Sequence, residues 1–293
     1  MSKKILLAII LVVGVLFGQQ NVEKNKSKKP PQEFTLGTNL FQGGDIKGAI
    51  ELWKKALEKD STLAPAWFNM ATAYDMLHQD SIALVCYKKA AIFDNDDADP
   101  WIYMAQIYRR QKDYQNTKIC YENAIDRKDD DPELYNSLAI VYDQLGDYKS
   151  ALTVLDKAIQ LDTVYLSAMV NKLVVYNHAE KYDSVISFGY KVVSLFPDEP
   201  VSWVQLGVAY HYIGKNDSAL WAVDSALAIY SDLASAHYYK GLILLAQKKD
   251  TEALSEIGRA IELVPDYRDI AAQDGELEPI KNTKQFRDLI KGK

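Results

Sequence analysis

The sequence predicts an all-α solenoid, and three observations carry that prediction. The first is a 34-residue period that runs seven times without insertion or deletion. Ala56, Ala90, Ala124, Ala158, Val192, Ala226 and Ala260 mark one small-residue slot; Ala49, Ala83, Thr117, Ala151, Val185, Ala219 and Ala253 mark another. The second is a further pair of slots between them. One is small (Gly37, Ala71, Ala105, Ala139, Leu173, Gly207, Gly241) and one mostly aromatic (Leu40, Tyr74, Tyr108, Tyr142, Tyr176, Tyr210, Leu244). The third is helical spacing. Trp203, Leu206, Gly207 and Tyr210 fall on one face of a helix, and Ala219, Val223 and Ala226 on one face of a second. Antiparallel helices approach closely only where the crossing residues are small, while Trp and Tyr fill the wedge to the next pair.

The copies span 30–63, 64–97, 98–131, 132–165, 166–199, 200–233 and 234–267. Their order, Trp-x2-Leu-Gly-x2-Tyr and then Ala, an aromatic, Ala and Pro, resembles the tetratricopeptide repeat (TPR). The sixth copy matches the first half residue for residue, and Trp67, Trp101 and Tyr135 hold the Trp slot in copies two to four. Glu33 stands there in the first copy, and the late proline occurs only as Pro197 and Pro265. The resemblance implies a right-handed superhelix of seven helix-turn-helix units whose first helices line a concave, partner-binding groove.

Capping chemistry marks the boundaries. Asp99-Pro100 and Asp131-Pro132 are expected to place an N-cap carboxylate before a proline at the first helical position. Gly146 and Gly214 fall in the turn between paired helices, where positive φ is expected. The fifth copy carries Leu173, Val185 and Val192 in the small slots and a Gly189 of its own. A volume exchange is expected, with Gly189 making room for Leu173 and Val185; neutral drift in a tolerant array is the alternative. After Tyr267 the period stops. Residues 268–293 are expected to form a capping segment, with Asn282-Thr283-Lys284-Gln285 opening a short helix that turns Ile280, Phe286, Leu289 and Ile290 inward.

The chain opens with Lys3 and Lys4, an apolar run from Ile5 to Phe17, and then Gly18. Residues 1–18 read as a secretory signal peptide, with a short membrane anchor as the alternative because Lys24, Lys26, Lys28 and Lys29 follow. Residues 19–29 read as a basic flexible linker. The expected location is therefore exported and periplasmic, or else anchored at the inner membrane, with membrane contact only through an uncleaved amino-terminal segment. Removing residues 1–18 takes away two lysines and leaves 32 basic against 40 acidic residues, a net −8, which does not suit nucleic acid. Cys86 and Cys120 hold one slot in adjacent copies, at least a helix-packing distance of roughly 8–10 Å apart, so two unpaired thiols are expected.

No cofactor, metal site or catalytic group is expected. The run Asp94 to Asp99 superficially resembles a calcium loop but lacks the glycine at its sixth place and the glutamate at its twelfth, where Ala105 stands. His178 and His211 fall on first helices of neighbouring copies without an evident carboxylate or thiol to complete a metal set, and His237 replaces the Trp of the pattern. The TPR resemblance brings two specialised grooves to test. Phe34 and Asn136 stand where a chaperone-tail clamp needs lysine. Thr35, Tyr103, Ser137, Gln205 and Tyr239 interrupt the asparagine ladder of the O-linked GlcNAc transferase, so a likeness to that enzyme would rest on repeats alone. The candidate groove residues are Phe68, Asn69, Ile102, Gln106, Arg109, Asn136 and Asp143 in a mixed polar half. An apolar half follows, with Val170, Val174, His178, Val204, Val208, His211, Tyr212, Tyr238 and Leu242; the alternative is that part of this strip packs internally as the superhelix closes. The leading reading is a non-catalytic scaffold that binds a protein or peptide segment in the cell envelope. A self-assembling homo-oligomeric module is the alternative, and a metal-dependent enzyme built on the two histidines is a third.

Overall fold

The structure, a computed structural model, describes residues 29–291. The expected signal segment and nearly all of the expected linker lie outside them. Among the described residues there are sixteen α-helices, one 3-10 turn and no strand. The chain divides after Val141 into two compact units. The first holds α1 (Gln32–Gln42), α2 (Ile46–Lys59), α3 (Ala64–Met76), α4 (Asp80–Phe93), α5 (Asp99–Arg110), α6 (Tyr114–Ile125) and most of α7 (Pro132–Gln144). The second holds α8 (Tyr148–Leu161), α9 (Leu166–His178), α10 (Tyr182–Leu195), α11 (Pro200–Tyr212), α12 (Asn216–Ile229), α13 (Ala234–Ala246) and α14 (Asp250–Leu263). It ends with α15 (Tyr267–Gln273), the 3-10 turn Gly275–Leu277 and α16 (Lys284–Lys291). Helices next to one another in sequence pack together from α1 to α6 in the first unit and from α8 to α16 in the second. No helix of the described residues is long and apolar enough to cross a membrane.

The second helix of every pair begins 34 residues after the last, from Ile46 to Asp250. Small residues keep that beat by letting the helices touch. A Cβ on Gly37 would lie 2.8 Å from the Trp53 ring and 3.2 Å from the carbonyl of Ala49. At Gly207 it would meet Val223 at 2.5 Å and the carbonyl of Ala219 at 3.3 Å; at Gly241, Ile257 at 2.6 Å and the carbonyl of Ala253 at 3.1 Å. Three repeats thus show one contact, a first-helix glycine against the second helix's backbone and one large side chain.

The turn between paired helices also repeats. Gly44, Gly146 and Gly214 have positive φ, and so do His78, Lys112, Glu180 and Lys248, which hold the same slot without being glycine. Asp45, Asp113 and Asp147 cap the second helices that follow, each accepting from the backbone N–H three residues on. The loop before each first helix is tied down by the Trp slot. Trp67 Nε1 donates to the carbonyl of Ser61, Tyr135 Oη to Asp129, Trp203 Nε1 to Pro197 and His237 Nε2 to Ser231. Each bond reaches back six residues, which explains why Trp, Tyr and His interchange there: each is a flat ring carrying a donor. In the third repeat Arg127 takes the carbonyl of Asn95 instead and lies over the Trp101 ring at 5.1 Å, leaving Trp101 Nε1 without a partner.

One sequence expectation is corrected and one gains a neighbour. Asp99 is the first residue of α5 rather than its cap; its N–H donates to Asp97, and burial pushes its carboxyl up to about 6. Asp131 does serve as a cap, accepting from the N–H of Glu133. The side chain nearest to Gly189 is one that the expected volume exchange did not name. A Cβ there would come within 2.6 Å of Leu206, from the next repeat's first helix, which is fully buried. Cys86 and Cys120 are free, buried thiols, and burial raises them to about 11 and about 12.

The carboxy-terminal segment closes the last repeat, with α16 capped by Thr283 Oγ1, which accepts from Phe286 N–H. Leu277, Ile280 and Phe286 are buried against Tyr238, Leu242, Ile257 and Ile261, with Leu289 and Ile290 at the edge. Covering each such side chain is worth about 1.5–3 kcal/mol.

Two stability predictions follow from the turn and from Gly189. A left-handed non-glycine residue costs roughly 1–2 kcal/mol and a glycine's extra chain entropy roughly 0.5–1 kcal/mol. Lys112→Gly and Glu180→Gly should therefore each raise the unfolding free energy measured in urea, by up to about 1 kcal/mol; a fall in either would show the turn to be unstrained. Gly189→Leu should overpack, costing on the order of 1–3 kcal/mol. A double-mutant cycle with Leu206→Ala should show the pair to be less harmful than the sum of the singles, and simple additivity would place the clash elsewhere.

Candidate protein-binding face

The first helices of each unit place the candidate residues, and burial sorts them. In the first unit Phe68 is buried in an aromatic cluster, 5.5 Å from Tyr87 and 5.4 Å from Tyr103, while Tyr87 and Tyr103 stack at 5.5 Å. Thr72 hydroxyl meets Tyr87 hydroxyl at 3.2 Å, and burial pushes the Tyr87 phenol far up. Asn69 and Asn136 are buried as well. Ile102 and Gln106 are half-buried, and Arg109 is exposed. Its neighbour Arg110 pairs with Asp75 and Asp80 at 2.5 and 3.1 Å, making a cross-repeat clasp beside the open residues.

In the second unit the expected apolar strip splits in two. Val170 and Val174 of α9 are half-buried, and His178 and Tyr212 are about half exposed. Val204, Val208, Tyr238 and Leu242 are only 1%, 4%, 4% and 3% exposed, so the open strip expected at these positions is core. Val204 and Val208 pack with Val223, Ala236 and Ile243, and Tyr238 and Leu242 lie under the carboxy-terminal segment. Periodicity alone does not show what covers a helix face.

Three histidines are corrected too: His178, His211 and His237 each have a carboxylate of their own. Asp143 accepts from His178 Nδ1 at 2.8 Å, with the Tyr148 ring 6.2 Å from the imidazole. That hydrogen bond, ahead of opposing burial, raises His178 above the usual histidine value. His211 is buried; its Nε2 donates to Glu276 at 2.7 Å while its Nδ1 has no partner. Tyr212 hydroxyl donates to the other Glu276 oxygen at 2.9 Å, and Tyr238 hydroxyl to Asp274 at 2.6 Å. The bond from His211 holds the Glu276 carboxyl below its usual range. Tyr212 also stacks on Tyr182, centroids 5.4 Å apart. His237 faces acceptors from both nitrogens, Glu256 and the Ser231 carbonyl. Among the described residues no group of three or more His, Cys, Asp or Glu side chains is placed to hold a metal.

Two features were not foreseen. Lys172 of α9 is buried, its ammonium 4.7 Å from the centre of the Phe188 ring and paired with Asp156. Asn177 donates to the backbone and side-chain oxygens of Gln205 at 3.1 and 2.7 Å, joining two successive first helices.

These elements make an α-solenoid of stacked hairpins whose first-helix faces offer scattered polar handles around a few open apolar side chains. Residues 96–163 and 204–268 match family models described as tetratricopeptide repeat. The chain is a protein of the tetratricopeptide-repeat family. Solved structures agree in fold. A tetratricopeptide repeat protein from Parabacteroides merdae is 17% identical with a TM-score of 0.60, over 89% of this chain and 96% of that one. YrrB, described as a TPR protein with an unusual peptide-binding site, is 24% identical with a TM-score of 0.56, over 68% of this chain and 99% of its own. PilW, described as a widely conserved type IV pilus biogenesis factor, is 16% identical with a TM-score of 0.57, over 74% and 98%. Among curated proteins, the probable UDP-N-acetylglucosamine–peptide N-acetylglucosaminyltransferase SPINDLY of Oryza sativa subsp. japonica is 38% identical over 66 residues, 20% of this chain and 7% of that protein. Its counterpart in Hordeum vulgare is 39% identical over 51 residues, 17% and 5%. The matched stretches are thus a small fraction of those enzymes, confined to repeat sequence.

The His178–Asp143 pair gives a pH prediction. Because His178 is raised in the folded chain, its stabilising contribution is complete below the unfolded histidine value, near 6.5. It is lost as pH rises through the folded value. An NMR titration should find the His178 midpoint above ordinary histidine, and Asp143→Asn should bring it down; an unmoved midpoint would remove the pair from the account.

Proposed function

We propose that this chain is a non-catalytic scaffold of the cell envelope that holds a segment of a partner protein against its first-helix faces. The observation that carries the reading is the α9 face, where Val170 and Val174 stay partly open on the same helix as the polar handle His178. The description of YrrB as having a peptide-binding site supports the class of ligand, and the apolar run from Ile5 to Phe17 after two lysines supports export.

The magnitude follows from what remains open. Association costs roughly 4–15 kcal/mol, and each well-covered apolar side chain gains about 1.5–3 kcal/mol. With Val204, Val208, Tyr238 and Leu242 committed to the core, the open valines offset little more than the cost of association, so the contact is weak unless polar handles add to it.

Val174→Glu places a charge on the open face. Crosslinking pull-downs from envelope extracts should then lose the proteins that the unaltered chain recovers, while the melting temperature moves by less than about 2 °C, the shift expected of a surface change. Recovery of the same proteins by both chains would overturn the binding face; recovery of this chain alone would favour self-assembly.

A further inference from the structure

The segment Asp274–Leu277 is more than a lid. An apolar cover needs only side chains such as Ile280, Phe286 and Leu289, yet this stretch also brings two carboxylates onto the first helices of repeats six and seven. Three donors from those helices meet them. Tyr238 hydroxyl reaches Asp274, and Tyr212 hydroxyl and His211 Nε2 take one oxygen each of Glu276. Leu277, one residue on, is fully buried beside Tyr238 and Leu242. Gly275, between the acids, is exposed, and a side chain there would meet nothing within 4 Å. The pattern read by the helices is therefore acid, any residue, acid, apolar. His211 keeps a second, buried nitrogen aimed at no partner, a polar capacity that the present occupant leaves unused.

We infer that the first-helix face of repeats six and seven is a seat for an acidic partner segment of the pattern acid-x-acid-apolar, and that residues 274–277 occupy it until such a segment displaces them. The inference rests on the scaffold reading above and adds the chemistry of one ligand. Recognition is by charge-assisted hydrogen bonds from two phenols and an imidazole, with one apolar anchor. The tethered occupant has an advantage, because a short tether sets its effective concentration at about the millimolar level. A free segment of equal intrinsic affinity therefore loses until the tethered carboxylates are weakened.

The probe is a fluorescent peptide with the chain's own sequence from Ala272 to Ile280, titrated into the full chain and followed by anisotropy. The double variant Asp274→Asn, Glu276→Gln should lose hydrogen-exchange protection over 274–280 and bind the probe at least tenfold more tightly than the unaltered chain. Adding His211→Gln and Tyr212→Phe to that variant should remove the gain, as should scrambling the probe. Unchanged protection over 274–280 in the double variant overturns the inference, because the carboxylates would not be what holds the seat closed. Lost protection without a gain in probe binding overturns it as well, and so does a gain that survives His211→Gln and Tyr212→Phe. Partner capture that depends on Val174 reads a different face, so the scaffold reading can stand while this inference falls.

Discussion

A Cβ at Gly207 would sit 2.5 Å from a methyl of Val223 and 3.3 Å from the carbonyl of Ala219, so the two helices of that hairpin leave no space for a methyl group. The same approach recurs at Gly37 and Gly241, and at Ala71, Ala105 and Ala139 the one methyl present is fully buried. Because dense packing tolerates neither voids nor overlap, this spacing fixes which residues may follow at each step of the period. It also explains the fifth repeat. There Leu173 fills the slot between paired helices, and the small residue moves to Gly189, where it admits Leu206 of the following hairpin.

What was legible in the sequence is what each hairpin does for itself. Small slots, the donor-bearing ring at the Trp position and the glycine turns are local, so a single period shows them. The misses are contacts set by neighbours. His78, Lys112, Glu180 and Lys248 take the left-handed turn with no residue signal, because the packed helices on either side impose it. Asp99 sits one residue inside its helix because Asp97 accepts its N–H. The positions Val204, Val208, Tyr238 and Leu242 are closed, and Leu277 and Ile280, which pack on the last two, lie outside the period altogether.

One signal was present and could have been found. Asp143 and His178 are 35 residues apart, one period plus one, and so are Asp75 and Arg110. The two pairs hold equivalent slots, acid on one first helix and base on the next. A search for opposite charges at the period plus one would have paired His178 with Asp143. Neighbouring first helices are therefore joined by polar clasps as well as by apolar packing, and Asn177 with Gln205 makes a neutral version of the same link.

The clasps bear on where ligand chemistry can sit. A side chain already bonded to the next helix is oriented but partly spent, whereas an open apolar side chain is unspent but unoriented. The α9 face has both within one turn, Val174 and His178, and at the end of α11 Tyr212 is stacked on Tyr182 with its hydroxyl on Glu276. Loss of the Glu276 carboxylate would free two donors at once, His211 Nε2 and Tyr212 Oη, on rings held by their neighbours. Preorganised donors lose little freedom on meeting a new acceptor, so the end of the array that is now closed is also the part best prepared to bind a carboxylate.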